Sequence, residues 1–395
     1  MNKLSPNELK MWNDLEKEEV TQPTDDEINR KYAQRELRIV TETNREQLPN
    51  FVAALQRPDW MRLQPFYQRR KRWDDKRKSK LIESFIMNIP VPPCFLYESD
   101  FARYEVMDGQ QRISAILDFY TNKYKLKGLE QWPELNGRIY DKLPSEIKKG
   151  LDRRSISYIV LMKESATGKD QMLLRQQVFE RLNTGGIELE NQEIRHCIYH
   201  NEFDKLLIEL SKNSILREAW DLPAFGPEEE LNPPDTLLSK PHYSKMRDVE
   251  FVLRFFALRH VDKYRGGMQS FLDQYMVRSS RFSDEDISIL RNVFIETMSL
   301  CSEIYGENLF KPWQLKNNSW AKQPQVAFAD AVAWGICSNR ERRDEILAKK
   351  EQLVANTKAL IIDSDKGMFT GQGNTKKDIE VRLHAYRKML LDTLN

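Results

Sequence analysis

The stretch Tyr104-Glu105-Val106-Met107-Asp108-Gly109-Gln110-Gln111-Arg112-Ile113 restricts what this chain can fold into more than any other. An alternating strand pattern runs into Asp108-Gly109, and an apolar helical pattern follows at once. Ile113, Ile116, Leu117 and Tyr120 sit at i, i+3, i+4 and i+7, one face of a helix. Strand, glycine turn and helix must therefore succeed one another without a linker. The helix then starts with its free backbone N–H groups facing the turn, where amides and macrodipole favour negative charge. Arg112 adds a cation whose fork of donors suits phosphate oxygens. Asp108 is a side chain of the kind that holds magnesium alongside phosphate. A capped strand-to-helix turn in which Arg112 pairs with Asp108 is the alternative that these residues leave open.

Two further clusters carry chemistry. Leu63-Gln64-Pro65-Phe66-Tyr67-Gln68-Arg69-Arg70-Lys71-Arg72-Trp73-Asp74 mixes aromatic rings with cations, and Arg57 to Lys80 holds ten Lys or Arg against three Asp. Stacking from the rings and attraction from the arginines suit a polyanion; a solvated helix start lying over Trp73 is the plainer alternative. Phe179-Glu180-Arg181-Leu182-Asn183-Thr184-Gly185-Gly186 joins two helical patterns through a tight polar loop. Its glycines allow left-handed backbone and close approach of a ligand, although a glycine C-cap accounts for the same residues.

The 395 residues suffice for two or three domains. Net charge is only +2, so contact with nucleic acid must come from local patches. The polar start of the chain has no apolar h-region, and no secretory signal is expected. Val326–Cys337, the longest apolar run, is short and contains Asp330; it reads as a core helix, and no membrane partner is expected. Cys94, Cys197, Cys301 and Cys337 are scattered, which suits thiols in a reducing, cytoplasmic setting. His196 and His200 lie at i, i+4 without an evident third ligand, so a structural or surface role is expected. P-loop, GxSxG and kinase signatures are all missing.

In order, the pattern predicts a polar, loosely docked arm over 1–27, an α+β domain over 28–200 and an all-α domain over 201–395. Strands are expected at Leu37–Thr41, Cys94–Tyr97, Tyr104–Asp108, Asn122–Leu126 and Ser157–Met162. Helices are expected at Arg45–Gln56, Lys80–Met87 and after Gly109. A helix over Lys169–Leu182 should lead into the third cluster and another should begin near Asn191. Beyond residue 200 amphipathic helices are expected at Phe203–Ser211, Arg247–His260, Met268–Met276, Asp284–Tyr305, Val326–Asn339, Arg340–Ala355 and Asp378–Leu394. Arg247, Glu250 and Arg254 read as an ion-pair stripe within one helix. The glycine-rich stretch Lys366–Asn374 reads as a plain loop.

Taken together the three clusters resemble the DGQQR-motif family, found as the N-terminal domain of GmrSD-type, modification-dependent (type IV) restriction endonucleases. The resemblance runs through Pro65–Arg69, Trp73, Leu81–Ser84, Ile89–Pro93, Asp108–Arg112, Phe179–Gly186 and Gln192–Arg195. It implies a ParB/sulfiredoxin-like α+β fold ahead of the all-α domain. It also implies a nucleoside-triphosphate site with magnesium, built from Asp108, Gly109, Gln110, Gln111 and Arg112, from Gln68 and Arg69, and from Arg181, Asn183, Thr184 and Gly185. In that site Asp108 would hold the metal or orient water, Arg112 would neutralise phosphate, and Gln68 or Gln111 would position the nucleophile. The expected function is a nucleotide-binding, NTP-hydrolysing, DNA-associated component of restriction or anti-phage defence. Residues 200–395 carry nothing like the nuclease module of those enzymes, so either a separate nuclease subunit cuts or this protein does not act by that nuclease. Two alternatives remain: a ParB-like nuclease using Asp108, Glu105 and Glu193 as metal ligands, and a non-catalytic DNA-binding adaptor.

Overall fold

The computed structural model describes residues 4–13, 24–26, 29–30, 40–57, 59–62, 73–162, 178, 190–199, 201–230, 233–365, 367–371, 373 and 375–395. The chain forms two compact units, one of residues 19–189 and one of 1–18 with 190–395. The α1 helix (Pro6–Lys10) belongs to the second.

The first unit is α+β. Its α-helices and strands among the described residues are β1 (Thr41–Gln47), α2 (Leu48–Leu55), β2 (Met61–Arg62), α3 (Asp75–Ile86), β3 (Cys94–Asp100), β4 (Arg103–Asp108), α4 (Gln110–Tyr120), α5 (Ser145–Asp152) and β5 (Ser155–Leu161). The five strands form one mixed sheet in the order β1-β5-β3-β4-β2. The β3–β4 and β1–β5 pairs are antiparallel, and β3 runs parallel to β5. The four helices supply Phe51, Ile82, Phe85, Ile113, Ile116, Phe119 and Leu151 to a core that Cys94, Leu96, Val106, Ile156, Tyr158 and Val160 meet from the sheet. Each such side chain withdrawn from water stabilises the fold by about 1.5–3 kcal/mol. Asp74 caps α3 by accepting from Arg77 N at 2.7 Å, and Lys78 ties α3 to α4 through Asp118 at 2.9 Å.

Several expected boundaries differ from those observed. The first strand is β1, beginning at Thr41; Leu37 to Ile39 lie outside the described residues. Arg45–Gln47, expected to be helical, instead pair with Ser157–Ser155 in the ladder. Helix α3 begins five residues before the expected Lys80 because Asp74 caps it there. Asn122–Leu126 is not a strand. Tyr124 and Leu126 are buried in alternation, but among the described residues the segment has no ladder partner; its backbone bonds run from Asn122 N to Phe119 O, Lys123 N to Asp118 O, Leu126 N to Arg138 O and Gly137 N to Leu126 O. The helix expected over Lys169–Leu182 lies outside the described residues.

The second unit is helical. Among its elements are α6 (Asn191–Ile198), α7 (Glu202–Leu210), α8 (Ser214–Ala219), α9 (Asp235–Leu238), α10 (Pro241–Ser244), α11 (Arg247–Leu258), α12 (Gly267–Ser279) and α13 (Asp284–Tyr305). A two-residue ribbon, Trp313–Gln314 with Ser319–Trp320, precedes α14 (Val326–Asn339). The helix expected over Arg340–Ala355 is broken into a 3-10 turn, α15 (Arg343–Ala348) and α16 (Lys350–Asp363); α17 (Lys376–Leu394) closes the chain. No helix of the described residues is long and apolar enough to cross a membrane. The stripe expected along α11 is not intrahelical. Glu250 accepts from Arg195 at 3.2 Å, and Arg254 is paired with the buried Asp330 of α14. The start of the chain is anchored in this unit: Glu8 is fully buried, with His260 Nε2 at 3.0 Å, Arg259 Nη1 at 3.1 Å and the Tyr275 hydroxyl at 3.2 Å from Oε1.

Candidate functional site

Strand β4 ends where its register slips. Phe95 pairs with Asp108 but Leu96 pairs with Val106, which leaves Met107 as an extra residue. Such a bulge bends a strand and re-aims the side chain beside it. Here it delivers Asp108 to the rim of the sheet with its side chain half exposed.

Gly109 follows with φ +96° and caps α4. A Cβ at this position would lie 2.4 Å from Cys94 Sγ and 2.9 Å from Cys94 Cβ. Backbone conformation and space both require glycine. Cys94 itself is fully buried at the start of β3. Burial pushes its thiol up to about 12, against the pull of the Arg112 guanidinium, so it is a packing residue and no nucleophile at neutral pH.

Arg112, in the first turn of α4, donates from Nη2 to Asp108 Oδ2 at 2.7 Å and to Pro93 O at 3.4 Å. Its side chain is 14% exposed and that of Asp108 49%. The pairing that the sequence left open is therefore present. A guanidinium has five N–H donors, and these two contacts use one nitrogen. Gln111 turns the other way and accepts from Trp73 N at 2.9 Å. Trp73, beneath the Arg77 guanidinium at 5.1 Å, is thereby fixed beside the turn. Gln110 occupies the first helical position and is half buried.

The structure thus brings together Asp108, Gly109, Gln110, Gln111, Arg112 and Trp73. Gln68, Arg69, Arg181, Asn183, Thr184 and Gly185 lie outside the described residues. Two further residues of the family pattern serve the helical unit. Glu193 accepts from Glu190 N at 2.8 Å in the capping box of α6. Arg195, almost wholly buried, donates to Asp273 at 2.7 Å, Glu250 at 3.2 Å, Gln192 at 3.3 Å and Gln269 O at 3.3 Å. His196 is bonded to the buried Asp204 at 2.8 Å, the structural role expected of it; His200 lies outside the described residues. The contact of Cys94 with Gly109 went unread in the sequence, where only the register of β3 on β4 reveals it.

Among the described residues no group of three or more His, Cys, Asp and Glu is placed to hold a metal. A lone carboxylate suits magnesium only when phosphate oxygens and water complete the shell. The donor set at Asp108 fits a nucleotide-borne magnesium ion and not a protein-only metal centre.

Residues 54–200 match the family model described as GmrSD restriction endonuclease, N-terminal domain. That segment is thus similar to the family which the three sequence clusters resemble. Neither the curated proteins nor the solved structures gave a match.

Proposed function

We propose that the chain is a DNA-associated component of a restriction or defence system whose first unit binds a nucleoside triphosphate at the Asp108–Arg112 turn. The carrying observation is the Gly109 cap with Arg112 one turn into α4. It opens a helix start to an anion and places a guanidinium beside it. A phosphate group competes with Asp108 for Arg112, and the carboxylate so released becomes the residue available to magnesium. Magnesium, when bound with the nucleotide, neutralises phosphate charge and orients the chain of phosphates. For hydrolysis, Gln111 retains its carboxamide nitrogen as donor for a water, since its oxygen is committed to Trp73; Gln68 is assigned to the same task. The match of residues 54–200 to the GmrSD N-terminal domain supports the restriction context and a nuclease partner.

The test is phosphate release from ATP, GTP, CTP and UTP with magnesium, with and without DNA, for wild type and Arg112→Ala. Turnover lost in the variant supports the assignment. Absence of turnover and of nucleotide binding in wild type overturns it. A second reading, a non-catalytic adaptor, draws on the Asp108–Arg112 and Trp73–Gln111 bonds, which hold the turn together; nucleotide binding without turnover supports that one. Among the described residues nothing favours a nuclease using Glu105 and Glu193, because Glu105 is buried in β4 and Glu193 closes a capping box.

A further inference from the structure

Helix α3 and the chain that follows α4 run side by side. Lys127 N donates to Ser79 Oγ at 2.9 Å, and Gln131 N and Trp132 N donate to Glu83 Oε1 at 2.8 and 3.0 Å. Gly128, at φ +68°, comes so close to α3 that a Cβ there would meet Lys76 Cγ at 3.0 Å. Along this segment Lys123-Tyr124-Lys125-Leu126-Lys127 alternates. Tyr124 and Leu126 point into the core and the three lysines are exposed. Asp75, Lys123, Lys125, Lys127, Gly128 and Gly137 line an open groove of about 530 Å³.

The charge in this groove is not internally balanced. Lys123 shares Asp118 with Lys78, and Lys80 is paired with Glu130. Among the described residues, Lys76, Lys125 and Lys127 have no carboxylate within ion-pair distance, and Asp75 is the one acid in the lining. In a protein of net charge +2 this is a local concentration, not a general excess. At the head of α3, where Asp74 and Asp75 are also exposed, Arg77 lies over Trp73, which is bonded to Gln111 beside the candidate nucleotide turn. Gly137 meets no atom within 4 Å where a Cβ would stand, which leaves backbone accessible at the groove wall.

We infer that this groove is a track for the phosphate backbone of duplex DNA, with Lys76, Lys125 and Lys127 neutralising neighbouring phosphates. The inference rests on the DNA-associated reading above and names the surface that serves it. Phosphate contacts of this kind give affinity without sequence readout and release counterions on binding. Asp75 opposes the ligand, so removing its charge has the opposite sign from removing a lysine.

The experiment measures anisotropy of a fluorescein-labelled DNA duplex titrated with full-length protein across a series of sodium chloride concentrations. Wild type is compared with Lys125→Gln/Lys127→Gln and with Asp75→Asn, and thermal unfolding of each confirms the fold. The double lysine variant is expected to bind about tenfold more weakly, with the slope of log affinity against log salt reduced by about 1.8. Asp75→Asn is expected to bind about twofold more tightly. Wild type that binds while the lysine variant keeps its affinity or its salt slope overturns the track and leaves the DNA reading standing. Wild type that binds no duplex at any salt overturns both. Equal or greater affinity for single-stranded RNA of the same length overturns the choice of duplex DNA.

Discussion

Arg112 reaches back across the Gly109 turn and donates to Asp108 Oδ2 at 2.7 Å, so the two residues suited to phosphate and to magnesium are each other's partner. The pair is asymmetric in solvent: the guanidinium is largely covered and the carboxylate half exposed. An exposed ion pair of this kind holds by about 0.5–1 kcal/mol, little enough for a phosphate group to displace the carboxylate.

This competition gives two variants opposite effects. Asp108→Asn weakens the hold on Arg112, and nucleotide binding without magnesium should tighten by about two- to fivefold, the equivalent of that pair. Arg112→Ala removes a charged hydrogen bond to phosphate, worth about 1.5–3 kcal/mol, and should weaken binding at least tenfold. Titration calorimetry with and without magnesium checks both. Unchanged affinity in Arg112→Ala would show that the arginine only braces the turn.

Gly109 should tolerate no side chain. Gly109→Ala meets a left-handed φ and the Cys94 sulfur at 2.4 Å, and should destabilise the first unit by roughly 2–4 kcal/mol. Adding Cys94→Ala removes the sulfur but leaves Cβ at 2.9 Å and the backbone strain. The double variant should therefore recover part of the loss, a coupling that urea unfolding of the four-member cycle resolves.

The strand–glycine–helix unit was legible because three local signals agree there: alternation, a turn residue and a helical apolar face. The outcome of the Arg112–Asp108 ambiguity was not, because both readings use the same residues and only the bulge at Met107 decides how the carboxylate is aimed. Edge strand β1, Thr41–Gln47, carries hardly any apolar alternation and is mostly exposed, so its place was set by pairing with Ser155–Leu161 and not by its own pattern. In α3 the charged run Asp75–Lys80 carries no apolar periodicity, and the Asp74 cap is what sets the first turns. Lys123–Lys127 shows the reverse error, since alternation reports burial on one side and is silent about a ladder partner. For Arg254 and Glu250, helical spacing suggested local pairs, but each found a better partner on another helix, Asp330 and Arg195.

The start of the chain illustrates the same limit in a polar segment. Burial alone would raise the Glu8 carboxyl, yet Arg259 and the His260 contact together hold it below its ordinary value of 4.5. A depressed carboxyl contributes stability above its unfolded value and loses it as pH falls through the folded one. The helical unit should therefore weaken progressively below about pH 4.5, and Glu8→Gln should flatten that fall while destabilising the unit at neutral pH through loss of the buried Glu8–Arg259 ion pair. Urea unfolding at a series of pH values reads both effects. An unchanged acid limb in Glu8→Gln would assign the loss to other carboxylates.

Arg195 lies near the end of the family-matched segment, residues 54–200, but spends its donors inside the helical unit, on Asp273, Glu250, Gln192 and the Gln269 carbonyl. Arg195 is buried but Glu250 and Asp273 are about a third and a quarter exposed, so its loss leaves them partly solvated, and Arg195→Ala should destabilise that unit by about 1–3 kcal/mol through the lost charged hydrogen bonds. Arg195→Lys keeps the charge but cannot present a fork to two carboxylates and a carbonyl at once, and should recover less than half of the loss. If Arg195 instead served the nucleotide directly, Arg195→Lys would lower nucleotide affinity at temperatures where the protein remains folded. Calorimetric titration at about 15 °C, well below the unfolding range of ordinary domains, beside thermal unfolding separates the two. A structural Arg195 moves the melting temperature and leaves the affinity of the folded protein where it was.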